Sequence, residues 1–335
     1  MEDSQMFGRL TRRHFLAASA GAAGASLVAA PAIAKGWHPT KPVRMIVGDA
    51  AGGGTDQVAR VFIEFLTKKL GQPVIADNRP GANGVVAATE LRNAPADGYT
   101  LLYMVGSAWM TQKLLHKNLP YDPVKDFEPV AAQPVAGLPL IVHNSTNCKT
   151  MDQFVEYAKK NPANIGTYGA GSLAHVGVAA MERQFKAPFT PVHYRGSGLM
   201  WADVASGSLQ GGIASGAVGK NVIDLGKGTA LAIQGRNRLS KYPGVPTFLE
   251  LGAKDPGLSL MSVTGIVAVK GVPEQVIDTV SELGVEAGKD PETWEKFQVA
   301  GAEQRAIGRA EFNRWVTEEG PVWHKLTGAL GLGSN

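Results

Sequence analysis

The residues of this chain that could do chemistry gather where apolar strands run out into glycine. Met45–Asp56 reads MIVGDAAGGGTD: an apolar, β-type run breaks into Gly52-Gly53-Gly54 and then into Thr55-Asp56, two helix-capping residue types, ahead of an amphipathic stretch. Strand, glycine loop and helix N-terminus together make a seat for an anion. Glycine lets a ligand approach the backbone, the first helical N–H groups have no intrahelical partners, and the helix dipole adds positive potential. No Lys-Ser/Thr pair follows the glycines and the G-x-G-x-x-G spacing is absent, so the loop is neither a P-loop nor a dinucleotide fingerprint. A turn that only packs strand on helix needs less glycine than this. Ala51, Gly52, Gly53, Thr55 and Asp56 are therefore candidate ligand contacts.

Three further places repeat the theme. Ser107 follows the apolar strand Tyr99–Val105 and could donate to a ligand or simply cap. Gly169-Ala170-Gly171-Ser172 follows the strand Ile165–Tyr168, and Ser172 is placed to cap a helix over Leu173–Phe185. Two positive helix ends from opposing lobes could hold a carboxylate without burying an arginine, whose desolvation costs several kcal/mol. His175, in the first turn of that helix, is read chiefly as a packed or solvated histidine and secondarily as a ligand contact. Tyr194-Arg195-Gly196 could offer a hydroxyl, a guanidinium and an N–H, although Arg195 could equally be a rim cation. Catalytic signatures are missing: there is no G-x-S-x-G elbow, no H-E-x-x-H, and no Cys/His spacing suited to zinc. The expectation is a binding protein with no cofactor and no metal rather than an enzyme.

Alternating strands and helices must position these loops. Val43–Val47 reads as a buried strand, and Val58, Val61, Phe62, Phe65 and Leu66 follow helical spacing up to a stop at Gly71. Val85–Arg92, Gln153–Lys160, Glu274–Glu286 and Arg309–Thr327 read as helices; Leu138–Val142, Leu231–Gln234 and Gly265–Val269 read as strands. Such alternation predicts an α/β protein with mainly parallel sheets and ligands at the carboxyl ends of the strands. The expected organisation is two lobes, 35–133 plus 258–335 and 134–257, joined by two crossovers near Gln133–Pro139 and Leu258–Gly265.

Residues 1–34 look like an address. Thr11-Arg12-Arg13-His14-Phe15-Leu16 is a twin-arginine pattern, an Ala-rich apolar stretch follows, and Ala32-Ile33-Ala34 fits a cleavage site. The competing reading is a membrane anchor, but Ala and Gly dominate the stretch and Pro31 interrupts it, which favours an exported chain. Losing Arg9, Arg12 and Arg13 with Glu2 and Asp3 changes the net charge from +4 to +3. So mild an excess, without a basic run, argues against nucleic acid as partner. Cys148 is the only cysteine and has no intramolecular partner.

With these loops in hand, the chain resembles the Bug-type solute receptors of tripartite tricarboxylate transporters, from about Lys41 to the C-terminal helix. The resemblance is carried by Lys41-Pro42-Val43-Arg44, Ala50-Ala51-Gly52-Gly53-Gly54-Thr55-Asp56, Leu70-Gly71-Gln72-Pro73-Val74 and Asn78-Arg79-Pro80-Gly81-Ala82. It continues through Asp97-Gly98-Tyr99-Thr100-Leu101, Tyr121-Asp122-Pro123, Tyr194-Arg195-Gly196 and Val245-Pro246-Thr247. It implies a two-lobed, type II-like periplasmic binding protein that closes on a small carboxylate, held largely by backbone N–H groups at positions corresponding to Ala51–Asp56 and Gly169–Ser172. It also implies large and small membrane subunits as partners, or a membrane sensor, and a monomeric receptor. Two departures stand out. Gly48-Asp49 replaces the family's Pro-Phe, and Leu209–Gly216, which includes the candidate contact Ser215, has lost two carboxylates and gained glycine. Asp49 brings negative charge to the anion seat. Either it selects an amino-acid-like or amide-bearing acid, or it turns to solvent or to a neighbouring cation.

Overall fold

A computed structural model describes residues 36–330; the expected signal segment 1–34 lies outside them. The first lobe begins with β1 (Val43–Val47), α1 (Gly54–Leu70), β2 (Val74–Asn78), α2 (Val85–Arg92), β3 (Thr100–Val105), α3 (Gly106–Leu115), the short α4 (Pro123–Asp126) and β4 (Phe127–Val135). The second lobe holds β5 (Leu138–His143), α5 (Met151–Ala158), β6 (Asn164–Thr167), α6 (Leu173–Phe185), β7 (Thr190–His193), α7 (Ser197–Ser206), β8 (Gly211–Ile213), α8 (Gly216–Asp224) and β9 (Gly228–Gln234). The chain then returns through β10 (Ser262–Val269), α9 (Glu274–Lys289), α10 (Pro291–Val299), β11 (Ile307–Gly308) and α11 (Arg309–Gly328).

Strand order is β11-β4-β10-β3-β1-β2 in the first sheet and β7-β6-β8-β5-β9 in the second. The expected mainly parallel pairing is corrected to a mixed one. β1 pairs parallel with β2 and β3, and β6 with β7 and β8, but β10 runs antiparallel to β3 and β4, and β5 antiparallel to β8 and β9. The reason is topological. β5 and β10 are the strands by which the chain enters each lobe from the boundary between them, so they run against neighbours that end there. The carboxyl ends of β1, β3, β4, β6, β7, β8 and β9 consequently meet at one boundary, where the open sheets expose their loops.

Each face is sealed by apolar stripes. Val58, Val61, Phe62, Phe65 and Leu66 of α1 are buried at helical spacing, and every residue of β10 is buried. The aromatic helix α11 does not stay on one lobe: Phe312 packs in the first core, while Trp323 and Leu326 pack in the second, where Trp323 Nε1 donates to Met261 O at 3.2 Å. Gly106-Ser107, expected as a loop, is instead the first turn of α3. No described helix is long and apolar enough to cross a membrane.

Candidate functional site

The loop after β1 folds around two of its own carboxylates. Asp56, 1 % exposed, lies inside the first turn of α1 and accepts from Gly52 N at 2.9 Å, Arg60 Nε at 2.8 Å and Asn78 Nδ2 at 2.8 Å. Burial works to raise its pKa, but these hydrogen bonds outweigh it and hold the carboxyl below its ordinary value. Asp49, 8 % exposed, accepts from Ala50 N at 2.8 Å through Oδ1 and from Thr55 N at 3.1 Å through Oδ2. It has no cation within 4 Å among the described residues. Burial therefore pushes its pKa up to about 6, against the pull of the two amides.

These contacts give the amides of the seat acceptors within the protein. The Ala50 and Thr55 amides hold Asp49, the Gly52 amide holds Asp56, Gly53 N donates to Ala50 O at 3.0 Å, and Gly54 N donates to Ser197 Oγ at 3.1 Å. The anion at the head of α1 is the protein's own Asp49. Thr55 and Asp56 are likewise not the caps: Gly53 is the N-cap and supplies no side-chain hydrogen bond.

Asp49 separates two chambers at the lobe boundary. Together with Thr55, Val105 and Tyr168 it belongs to the walls of both. The larger encloses about 840 Å³, part of it open solvent, and extends toward the crossover at Val135–Leu138. Its polar wall includes Gln133, Ser197, Ser215, Lys241, Tyr242 and Thr264. The smaller, about 490 Å³, runs between the Pro80–Gly84 turn and Tyr194-Arg195-Gly196. Lys241 is the cation of the first chamber and Arg195 of the second, and neither has a carboxylate within 4 Å among the described residues. Burial lowers the Lys241 pKa, opposed by nearby Glu303, and its ammonium donates to Val299 O. The lobes touch beside these chambers: a Cβ on Gly54 would strike Ser215, and one on Gly196, where φ is +117°, would strike the Asp49 carboxylate. Among the described residues no cluster of His, Cys, Asp and Glu is placed to hold a metal.

A family model described as "Tripartite tricarboxylate transporter family receptor" matches residues 58–332. The chain belongs to this family. It is similar to the protein BugT of Bordetella pertussis, 30 % identical over 300 residues that cover 86 % of this chain and 91 % of that one. Among solved structures it is similar to Rpa4515 of R. palustris with adipate, at 27 % identity and a TM-score of 0.83, covering 89 % of this chain and 99 % of that one. The periplasmic binding protein BugD is similar at 26 % identity and a TM-score of 0.81, covering 89 % of this chain and 100 % of that one.

Within this family member, Asp49, Thr55, Ser215, Tyr194 and Arg195 are brought to the chamber walls. Ala51 and Gly52 are exposed, and Gly53 is buried against Asp49. The second glycine loop does not wall either chamber. Gly169 approaches Asn83, Gly171 packs on Thr111 and Leu115, and Ala170 lines neither chamber. Ser172 Oγ accepts from His175 N at 3.2 Å, capping α6 as expected. His175 is packed: its Nδ1 accepts from Gly171 N at 3.0 Å and its ring lies 4.4 Å from that of His193. Burial, then the neighbouring His193, lowers its pKa to about 4. Ser107 is fully buried, with its hydroxyl beside that of Tyr168. The Tyr194 hydroxyl is not free for a ligand, since it donates to Asp203 at 2.5 Å; burial and then that carboxylate push its pKa up to about 12.

The elements that do face the β1 loop are the starts of α7 and α8, through Ser197 and Ser215. Ser197 stands in the Arg195-Gly196-Ser197-Gly198 loop, so its glycine-rich setting was a usable signal. Lys241, Gln133 and Thr264 carried none, because each reaches the wall from a segment with no local motif.

Proposed function

We propose that this chain is a periplasmic solute-binding receptor. Its lobes, 35–133 plus 258–335 and 134–257, close by hinge motion on a small carboxylate-bearing molecule and deliver it to the large and small membrane subunits of a tripartite transporter. The observation that carries this reading is the shared chamber wall: a cavity of about 840 Å³ built from both lobes, with a hydrogen bond between Gly54 and Ser197 bridging them beside it. Ligand-dependent closure requires such a shared wall, because a ligand can shift a conformational equilibrium only through contacts it makes better in one state. Family membership supports the transport role, and adipate in Rpa4515 supports a carboxylate as the ligand class. BugD, a periplasmic relative, supports the location, and the twin-arginine route and a monomeric state complete the proposal.

Chambers of mixed polarity with Lys241 and Arg195 on separate walls suit an acid that brings apolar carbons with it. The test is a thermal-denaturation screen of the purified protein with small carboxylates, amino acids, sugars, nucleotides and cations. A true ligand at a hundred times its Kd adds about 2.7 kcal/mol of stability, and the expected hits all carry a carboxylate. Stabilisation only by sugars, nucleotides or cations would overturn the reading. So would conversion of the hit to a product, which would make the protein an enzyme on a receptor scaffold.

A further inference from the structure

We propose that the ligand presents an ammonium or amide N–H group to Asp49 in addition to its carboxylate, so that the preferred class is a small amino or amide-bearing acid rather than a plain dicarboxylate. This rests on the receptor reading above and narrows it.

Three observations converge. Asp49 belongs to the walls of both chambers, so a ligand in either lies beside it. Its two oxygens accept the amides of Ala50 and Thr55, with the Thr55 hydroxyl close beside them, while a carboxylate can accept about four hydrogen bonds. No Lys, Arg or His stands within 4 Å of it among the described residues. The seat thus holds a buried negative charge with spare acceptor capacity and no counter-ion, which a donor-bearing ligand completes.

An independent group asks for the same chemistry. Gln133 is 2 % exposed and walls the larger chamber; its Nε2 donates to Gln304 O at 2.6 Å, leaving Oε1 buried without a partner. Two buried acceptors therefore share one cavity, and an unmade buried hydrogen bond is costly.

The carboxylate end has its own partners. Since the amides of the β1 loop are already engaged, the charges left for it are Lys241 in the larger chamber and Arg195 in the smaller. A dicarboxylate satisfies one of these and then sets its second carboxylate near Asp49. Like charges in a desolvated site repel, so the same residue that attracts a donor rejects the plain diacid.

Isothermal titration of the purified protein with matched acids tests this: succinate, glutarate and adipate against aspartate, glutamate, the ω-amino acids and the ω-monoamides of corresponding length. At least one aminated or amidated acid should bind about tenfold tighter than its diacid, the scale of one charge-assisted hydrogen bond. Asp49→Asn should remove most of that ratio by weakening the aminated acid and strengthening the diacid. Replacing Lys241 or Arg195 with Met should weaken aminated acid and diacid alike, according to which chamber holds the carboxylate. Diacids that bind as tightly as their aminated counterparts would overturn the proposal, and so would a preference that survives Asp49→Asn. If that variant fails to fold, the ranking in the unmodified protein decides alone. Tight diacid binding would defeat this inference and leave the receptor reading standing, whereas no acid binding at all would defeat both.

Discussion

Gly54→Ala is a wedge placed between the lobes. Gly54 opens α1, its N–H donates to Ser197 Oγ at 3.1 Å, and an added Cβ would lie 2.8 Å from Ser215 Oγ and closer still to Ser215 Cβ. Ser197 and Ser215 both belong to the second lobe, so the clash exists only while the lobes touch. Relief requires shifting the backbone at the start of α8 or separating the lobes. Overpacking of this kind costs about 1–3 kcal/mol. If only the closed form bears that cost, the apparent affinity for ligand falls by about 5- to 150-fold, at about 1.4 kcal/mol per decade. The ligand-free, open protein should not suffer, because Ala is a better helix former than Gly. Titration calorimetry with the best acid from the screen measures the affinity. Chemical denaturation without ligand measures the stability, and small-angle scattering with and without ligand reports closure. Affinity within about twofold of the unmodified protein would refute the wedge. A drop in ligand-free stability as large as the loss in affinity would refute it too, since the contact would then belong to a single state that never opens.

Two predictions concern pH. Asp49 ionises reluctantly in the folded protein, at about 6. The stability linked to its proton is therefore full below the unfolded value near about 3.9 and lost as pH rises through about 6. Asp49→Asn should gain on the unmodified protein by about 2–3 kcal/mol between about pH 4 and about pH 7.5 in urea denaturation, on top of a pH-independent offset; a constant difference would show that Asp49 ionises normally. His175, held neutral at about 4, acts in the opposite sense: its contribution is present above the unfolded value near about 6.5 and lost as pH falls through about 4. His175→Ala should cost about 1–3 kcal/mol at about pH 7.5, because Gly171 N loses its acceptor. The gap should close on acidification to about pH 4, and a gap that widens would contradict the packed, neutral histidine.

Much of the architecture is legible in the sequence because its signals are local. The bounds of β1, α2 and α6, read as Val43–Val47, Val85–Arg92 and Leu173–Phe185, coincide with those in the structure, and Ser172 caps α6. In each case the apolar period or a capping residue acts within a turn or two. β4 has no such signal although it is the longest strand among the described residues, since Phe127–Val135 carries two prolines and no alternation, and is held in place by eight residue pairings with β10. The reversed direction of β5 and β10 is hidden for a similar reason: strand direction depends on where the chain re-enters a sheet, which no short pattern encodes.

The sequence alone determined that a strand, three glycines and a helix start would make an anion seat, and that Asp49 would place a negative charge in it. Only the tertiary structure decided that the charge fills the seat. That outcome depends on burial by Gly196 and on the reach of Ser197 to Gly54 across 143 residues of chain. Loop amides have more than one acceptor within reach, and which they take is set by what packs against them. Local chemistry is written in neighbouring residues, whereas occupancy of a site is settled by distant segments excluding water from it.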